Sequence, residues 1–145
     1  MLKEIIHKKK LYALIIKEAH QKKRGISFFT GNDSNQQIGF MSHPKNYLIK
    51  PHKHQKRETK IFITSEVIIL QKGKLRVDFY DTSKKYLFSI IVKKNQIIML
   101  VHGGHGFKVL EPVKMLEIKQ GPFVSNKDKI KFDKIDEKKI KIKKI

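Results

Sequence analysis

Two short groups of histidines are the residues in this sequence best suited to chemistry. His52 and His54 are one residue apart, and on an extended backbone the side chains at i and i+2 leave by the same face. His102 and His105 belong to the glycine-rich run HGGHG, in which missing side chains let the backbone pass close to a neighbour or a ligand. The chain has no cysteine, so a metal would be held by imidazoles and carboxylates, a set suited to first-row divalent ions.

The carboxylate of such a site has two candidates, Glu66 and Glu58. Glu66 begins the apolar run EVIIL, and on a strand it shares a face with Ile68 and Leu70, which would turn it toward a core. Glu58 stands among lysines and an arginine, in a stretch typical of a solvated loop. We favour Glu66 and keep Glu58 as the alternative. His102 is the one candidate for a catalytic acid or base beyond these ligands, with an exposed loop histidine as the simpler interpretation.

Strands are the elements that must position these residues. From residue 37 to residue 119 the chain consists of short apolar runs separated by turn signals, which predicts an all-β sandwich or barrel. The expected strands are residues 38–41, 47–49, 61–63, 67–70, 75–80, 86–92, 97–101, 107–110 and 113–118. Residues 71–74, 81–85 and 93–95 carry turn residues and are expected to close hairpins.

The chain ends are less regular than this central part. Residues 12–16 predict a strand or a short helix, and residues 27–30 predict another extended piece. At 145 residues the chain has room for one core. We expect an N-terminal extension over residues 1–36, one barrel over residues 37–126, and a lysine-rich tail or edge strand over residues 127–145. No apolar run reaches membrane-spanning length, and we expect a cytoplasmic protein.

The arrangement of these motifs resembles the cupin superfamily. That family's first motif is a His-x-His pair, a glutamate, then six residues and a glycine. Here His52 and His54 are followed by Glu66 and Gly73. The interval before Glu66 is longer than is usual in the family, and the second motif matches only in part, although His105 falls where the family places its last ligand. The resemblance covers residues 37–119, and it extends more weakly to small bacterial cupins, some of which accompany sugar and surface-polysaccharide genes.

This resemblance implies a jelly-roll barrel that holds one divalent transition metal, which would be iron, manganese, nickel, cobalt or zinc. The implied ligands are His52, His54, Glu66 and His105. Cupins include isomerases, epimerases, oxygenases and proteins that bind without catalysis, so the sequence leaves open whether this chain is an enzyme. A small anionic metabolite is the expected ligand, and a sugar nucleotide or polysaccharide precursor is the best single interpretation. A non-catalytic binding module is the alternative.

The formal net charge of +20 would by itself suggest a nucleic-acid partner. Only three of the 33 basic residues are arginine, and the lysines are spread along the whole chain, whereas nucleic-acid readers concentrate charge and use arginine. Nucleic acid is therefore the weaker alternative. Residues 67–70 and 97–101 are apolar on both faces, which predicts either a homodimer or cover by extra strands from the N-terminal segment.

Overall fold

The computed structural model describes residues 2–21, 24–125 and 128–145, and it confirms the all-β class. Within these residues the strands form one six-stranded sheet and one separate pair, and neither sheet closes on itself. The pair consists of β3 (Gly25–Phe28) and β4 (Gly39–Ser42). The larger sheet contains β1 (Lys3–His7), β2 (Lys10–Ile16), β5 (Glu66–Tyr80), β6 (Tyr86–Lys93), β7 (Gln96–Leu100) and β8 (Gly104–Lys119). Short 3-10 turns lie at Glu18–His20 and Glu137–Lys139.

The long strand β5 is the spine of the larger sheet. The order is β1-β2-β7-β5-β6, with β8 on the other side of β5. β7 pairs with the first half of β5 and β6 with the second half, both antiparallel, so that β6 and β7 follow each other along one side of it. β8 pairs antiparallel along the whole of β5, from Glu66 opposite Lys119 to Tyr80 opposite Gly104.

A sharp bend in the middle of β5 replaces the hairpin predicted at residues 71–74. The register between β5 and β8 shifts three times around Lys72 and Lys74, as it does at β-bulges. Gly73 lies in this stretch with a φ of +83°, and a Cβ atom there would collide with the backbone carbonyl of Pro112. The glycine thus serves a bulge and a close approach to β8, where the sequence predicted a turn.

The pairing register shows how far the two strands fold over. Phe79 lies 13 residues beyond Glu66, which on a straight strand is a separation of about 43 Å. His105 is the partner of Phe79 on β8, yet its ring lies 2.8 Å from the carboxylate of Glu66. The ribbon of β5 and β8 therefore folds back on itself, and it brings its two ends together.

This fold-back builds the main core. Ile68 and Leu70 from the first half of β5 belong to the same buried cluster as Val77 and Phe79 from the second half. Side chains of β2, β6 and β7 complete that cluster. A second cluster on the other face is formed by Leu14, Val67 and Met99, with partly buried residues of the N-terminal segment such as Phe29 and Ile38 packed on it.

The second cluster covers part of the apolar surface on which the homodimer prediction was based. The outward-facing side chains of Val67 and Met99 are buried within one chain, because Leu14 packs beside them and Phe29 and Ile38 pack on them. Extra N-terminal strands were the alternative to a dimer as cover for these faces. Apolar side chains remain exposed at other places, and those on β8 include Val109 and Leu116, each 52% exposed.

Several other predicted elements can be compared with the structure. The hairpin at residues 81–85 is confirmed, with Asp81 and Lys85 hydrogen-bonded. Residues 93–95 do not form a hairpin but join β6 to β7 along the same side of β5, with Asn95 at a φ of 64°. Residues 47–49 and 61–63 are not strands. They lie in the segment 43–65, which links β4 to β5 without regular structure and is exposed from residue 44 to residue 64.

The C-terminal residues 128–145, called here the C-terminal segment, lie against the outer face of β5 and β6. Ile135 donates its backbone N–H to the Tyr80 hydroxyl at 3.1 Å, and Phe132 packs edge-on against the Tyr80 ring. Ser89 exchanges backbone hydrogen bonds with Lys141 and Lys143, both 2.8 Å long. The predicted boundary between barrel and tail, at residues 126 and 127, falls outside the described residues. No helix in the described parts of the chain is long and apolar enough to span a membrane.

Candidate functional site

A cavity of about 690 Å³ lies between β5, β8 and the C-terminal segment. Its volume is in the range of small-molecule binding sites. β5 contributes residues from both of its halves, because the fold-back turns the two ends of the strand toward one place. The polar and charged residues of its walls are Glu66, Arg76, Asp78, Tyr80, His105, Lys108, Glu117, Lys129, Lys131, Asp133, Lys134 and Glu137.

Glu66 and His105 meet inside this cavity. His105 Nε2 lies 2.8 Å from Glu66 Oε2, and the two side chains are 27% and 15% exposed. The hydrogen bond from His105 holds the pKa of the Glu66 carboxyl below its ordinary value, against the opposing effect of burial, and the charges of His105, Lys129 and Lys119 act in the same direction as the hydrogen bond. Two of the four predicted metal ligands are therefore adjacent, partly buried and open to a ligand-sized space.

His52 and His54 lie elsewhere, on the exposed segment 43–65. Their rings are 5.5 Å apart and edge-on, so the predicted closeness of the two imidazoles holds, although the backbone there is not a strand. His52 Nδ1 is 3.0 Å from the carbonyl oxygen of Lys50. Glu58 is exposed in the same segment. Among the residues that the structure describes, no three histidine or acidic side chains come together as metal ligands.

His102, the candidate acid or base, precedes the stretch of chain that lines the cavity from Gly103 to Lys108. Its ring packs edge-on against Tyr12, with centroids 5.2 Å apart. Burial and the charge of Lys10 lower the pKa of the imidazole. Gly103 has a φ of +73°, and a Cβ there would collide with the Tyr80 carbonyl, so the glycine-rich run does allow the close backbone approach that the sequence suggested. The His102 ring contacts Tyr12 and is not among the residues that line the cavity, and its role as an acid or base stays a prediction.

The sequence did not reveal a buried charge cluster on the cavity wall. Arg76 is 8% exposed and makes two hydrogen bonds to Asp78, at 2.7 and 3.0 Å, and two to Glu137, at 2.7 and 3.1 Å. Asp78 also accepts a hydrogen bond from Ser89 Oγ at 2.5 Å. One signal was present, because Arg76 is one of only three arginines in a lysine-rich chain, and arginine is the basic side chain suited to bidentate pairs.

The cavity walls carry mixed charges, which are distributed unevenly. Three of the acidic residues are paired, Glu66 with His105, and Asp78 and Glu137 with Arg76. Glu117 and Asp133 have no ion pair within the described part of the chain, and the same holds for the lysines of the wall that the C-terminal segment provides. Those lysines are Lys129, Lys131 and Lys134. The walls thus carry five acidic and five basic residues besides His105, and an attraction for anions comes from the net charge of +20 of the whole chain.

No protein-family model, curated protein or solved structure matched this chain. The likeness to cupins therefore rests on the spacing of the histidines, Glu66 and Gly73 in the sequence.

Proposed function

We propose that the protein binds a small anionic metabolite in the cavity between β5, β8 and the C-terminal segment, with Glu66 and His105 as the polar pair that contacts it. One observation carries this proposal: two side chains far apart along the strands meet at 2.8 Å in a cavity of about 690 Å³. Partly buried polar groups that converge in a ligand-sized space are typical of binding sites. The motif resemblance adds the class of ligand, a sugar nucleotide or a polysaccharide precursor.

A divalent metal is the second part of the proposal, and the meeting of Glu66 with His105 supports it. The two residues bring a carboxylate and an imidazole together at hydrogen-bond distance, 2.8 Å, and both are ligand types that first-row divalent ions take. These two residues fit a metal site, whereas His52 and His54 would have to approach from the segment 43–65. A bound ion of iron, manganese, nickel, cobalt or zinc would act as a Lewis acid toward a carbonyl or phosphoryl oxygen.

The exposed apolar residues make that approach plausible on energetic grounds. Leu48 is 76% exposed and Phe62 is 88% exposed on the segment, while Val109 and Leu116 are 52% exposed on β8. β8 pairs with β5 alone among the described strands, so one of its edges has no partner strand there. Paired along that edge, the segment would satisfy the free backbone groups of β8 and bury part of its own apolar surface. It would move the fold toward a jelly roll and leave the exposed face of β8 available to a second chain.

The length of chain available permits this rearrangement. The segment joins β5 at Ser65, and the neighbouring Glu66 already touches His105 near the start of β8. The 11 residues between His54 and Glu66 can span up to about 36 Å when extended. His52 and His54 can therefore reach the cavity without any change in the core.

A non-catalytic binding module is the favoured form of this function. His102 was the one candidate for an acid or base beyond the metal ligands, and it packs against Tyr12 in place of lining the cavity. Isomerase, epimerase or oxygenase chemistry would then depend on Glu66, His105 and the metal alone. Cytoplasmic location and homodimer formation stay predictions, and the homodimer now rests on the exposed face of β8. Nucleic-acid binding stays the weaker alternative.

Calorimetric titration with UDP-glucose and dTDP-glucose tests the ligand, with neutral glucose as a reference. In this site Glu66 would accept a hydrogen bond from a sugar hydroxyl, and His105 would donate one to the ligand. We expect Glu66→Gln and His105→Ala each to weaken the binding of the nucleotide sugar at least about tenfold, the effect of roughly one lost charge-assisted hydrogen bond. Glu58→Gln changes the net charge by the same amount as Glu66→Gln and should leave binding unchanged. If Glu66→Gln and Glu58→Gln change the affinity for the nucleotide sugar equally, Glu66 does not contact the ligand.

Elemental analysis of untagged protein, purified without added metal, tests the ion. We expect near-stoichiometric metal in the wild type and little in Glu66→Gln, His105→Ala or His52→Ala, because losing one ligand opens the coordination sphere. Glu58→Gln is again the control. Full metal occupancy in Glu66→Gln, together with loss of metal in Glu58→Gln, would show that Glu58 and not Glu66 is the carboxylate ligand.

A further inference from the structure

Arg76 holds two carboxylates, and the two differ in their surroundings. Asp78 lies two residues away on the same strand and is 7% exposed. Glu137 belongs to the C-terminal segment and is 45% exposed. Glu137 also accepts a hydrogen bond from Lys108 at 3.2 Å. Its carboxylate therefore lies between a guanidinium from β5 and an ammonium from β8, at the wall of the cavity.

The basic side of this arrangement does not depend on Glu137. Asp78 fixes the guanidinium of Arg76 through two hydrogen bonds, and Ser89 fixes Asp78 in turn. Tyr86 continues the network with a hydroxyl 2.8 Å from Ser89 Oγ. Arg76 would thus keep its orientation if Glu137 moved away. A planar guanidinium fork with a second cation beside it matches the oxygens of a carboxylate or a phosphate.

We propose that Arg76 and Lys108 form an anion subsite for the phosphate or carboxylate group of the ligand, and that Glu137 occupies this subsite as an internal substitute in the ligand-free protein. The inference rests on the proposed function for the identity of the ligand. It adds which chemical group of the ligand is bound, and it adds that Glu137 competes with that group for Arg76 and Lys108. An incoming anion displaces Glu137 from Arg76 and Lys108, while the backbone bonds between Ser89 and residues 141 and 143 keep the chain end in place.

Glu137 is a strong competitor for two reasons. It is tethered, so its effective concentration at the subsite is on the order of millimolar or higher. Hydrogen bonds from Arg76 and Lys108 also lower the pKa of its carboxyl to about 2, so it stays ionised at neutral pH. An internal ligand that fills a site for about nine-tenths of the time weakens the apparent affinity of any external ligand about tenfold.

Titration with inorganic phosphate, followed by calorimetry, tests the subsite. We expect Glu137→Gln to bind phosphate at least about tenfold more tightly than the wild type. Glu111→Gln is the matched control, because Glu111 on β8 pairs with Lys74 on β5 away from the cavity wall and its loss changes the net charge equally. Lys108→Gln added to Glu137→Gln should abolish most of the gain, and Lys108 is 49% exposed, so this variant does not disturb the core.

The outcomes separate the subsite from the proposed function. Equal phosphate affinity in Glu137→Gln and the wild type, or an equal gain in Glu111→Gln, would overturn the subsite. A gain in Glu137→Gln alone, combined with no binding of nucleotide sugars, would support the subsite and refute the proposed ligand. Nucleotide-sugar binding that Glu137→Gln does not strengthen would support the ligand and place its anionic group elsewhere.

Discussion

Replacing Arg76 with methionine removes the cation from the most buried charge cluster among the described residues. The substitution keeps a long side chain but leaves Asp78, 7% exposed, with Ser89 as its remaining hydrogen-bond donor among the described residues. Breaking a buried ion pair from one side costs about 3–5 kcal/mol, because the other charge stays buried without compensation. We expect Arg76→Met to lower the free energy of unfolding by that amount.

Urea unfolding followed by circular dichroism measures this loss. With a slope of about 2 kcal/mol per molar urea, the midpoint should fall by about 1.5–2.5 M. Lys74→Met is the control, because the pair of Lys74 with Glu111 is 37% and 52% exposed and should contribute no more than about 1 kcal/mol. Adding Asp78→Asn to Arg76→Met should recover part of the loss, since it removes the unpaired charge. A cost below about 1 kcal/mol for Arg76→Met would refute the buried cluster.

Three further predictions concern the bend, the acid pair and the assembly. Gly73→Ala should destabilise the protein by about 2–4 kcal/mol and Gly25→Ala by about 1 kcal/mol, since both have positive φ but only a Cβ at position 73 meets backbone atoms; equal costs in thermal unfolding would contradict the bend. The pKa of Glu66 is lowered in the folded protein, so its stabilisation is present above the unfolded pKa and is lost as the pH falls through the folded one. The difference in urea midpoint between wild type and Glu66→Gln should therefore shrink from about pH 6 to about pH 3, and a constant difference would argue against the pair. Light scattering should give the mass of a homodimer. A mass of 17.1 kDa, that of a monomer, would show that the exposed face of β8 does not bind a second copy of the chain.

The sequence predicted the strands better than their connections. Alternation and apolar runs located β5 to β8, because these patterns report local burial. Gly73 was assigned to a hairpin and lies in a bulge, since a left-handed glycine suits both. The choice between them depends on Pro112, which is distant in the sequence and packs against Gly73 only after β8 has paired.

The candidate site was predicted in part for a similar reason. The strand face of Glu66 and the glycine-rich run before His105 were enough to propose that the two residues meet. Residues 75–80 alternate apolar and polar side chains, which by itself predicts a strand with one solvated face. The structure covers that face with the C-terminal segment. Glu137 belongs to the stretch that the sequence predicted as a lysine-rich tail or edge strand, and no local pattern in it indicates that Glu137 returns to β5. Long-range partners of this kind depend on tertiary packing.

Mapping of amide chemical shifts during titration with a nucleotide sugar tests the central claim most directly. We predict that the changes will concentrate around Glu66, along Gly104 to Lys108, and on the C-terminal segment from Lys129 to Glu137, which together form the walls of the cavity. Amides of Leu14, Phe29 and Met99, on the opposite face of the sheet, should not move. Changes confined to that opposite face, or none with the ligand at about 10 mM, where weak specific binding is still detected, would contradict the proposed site.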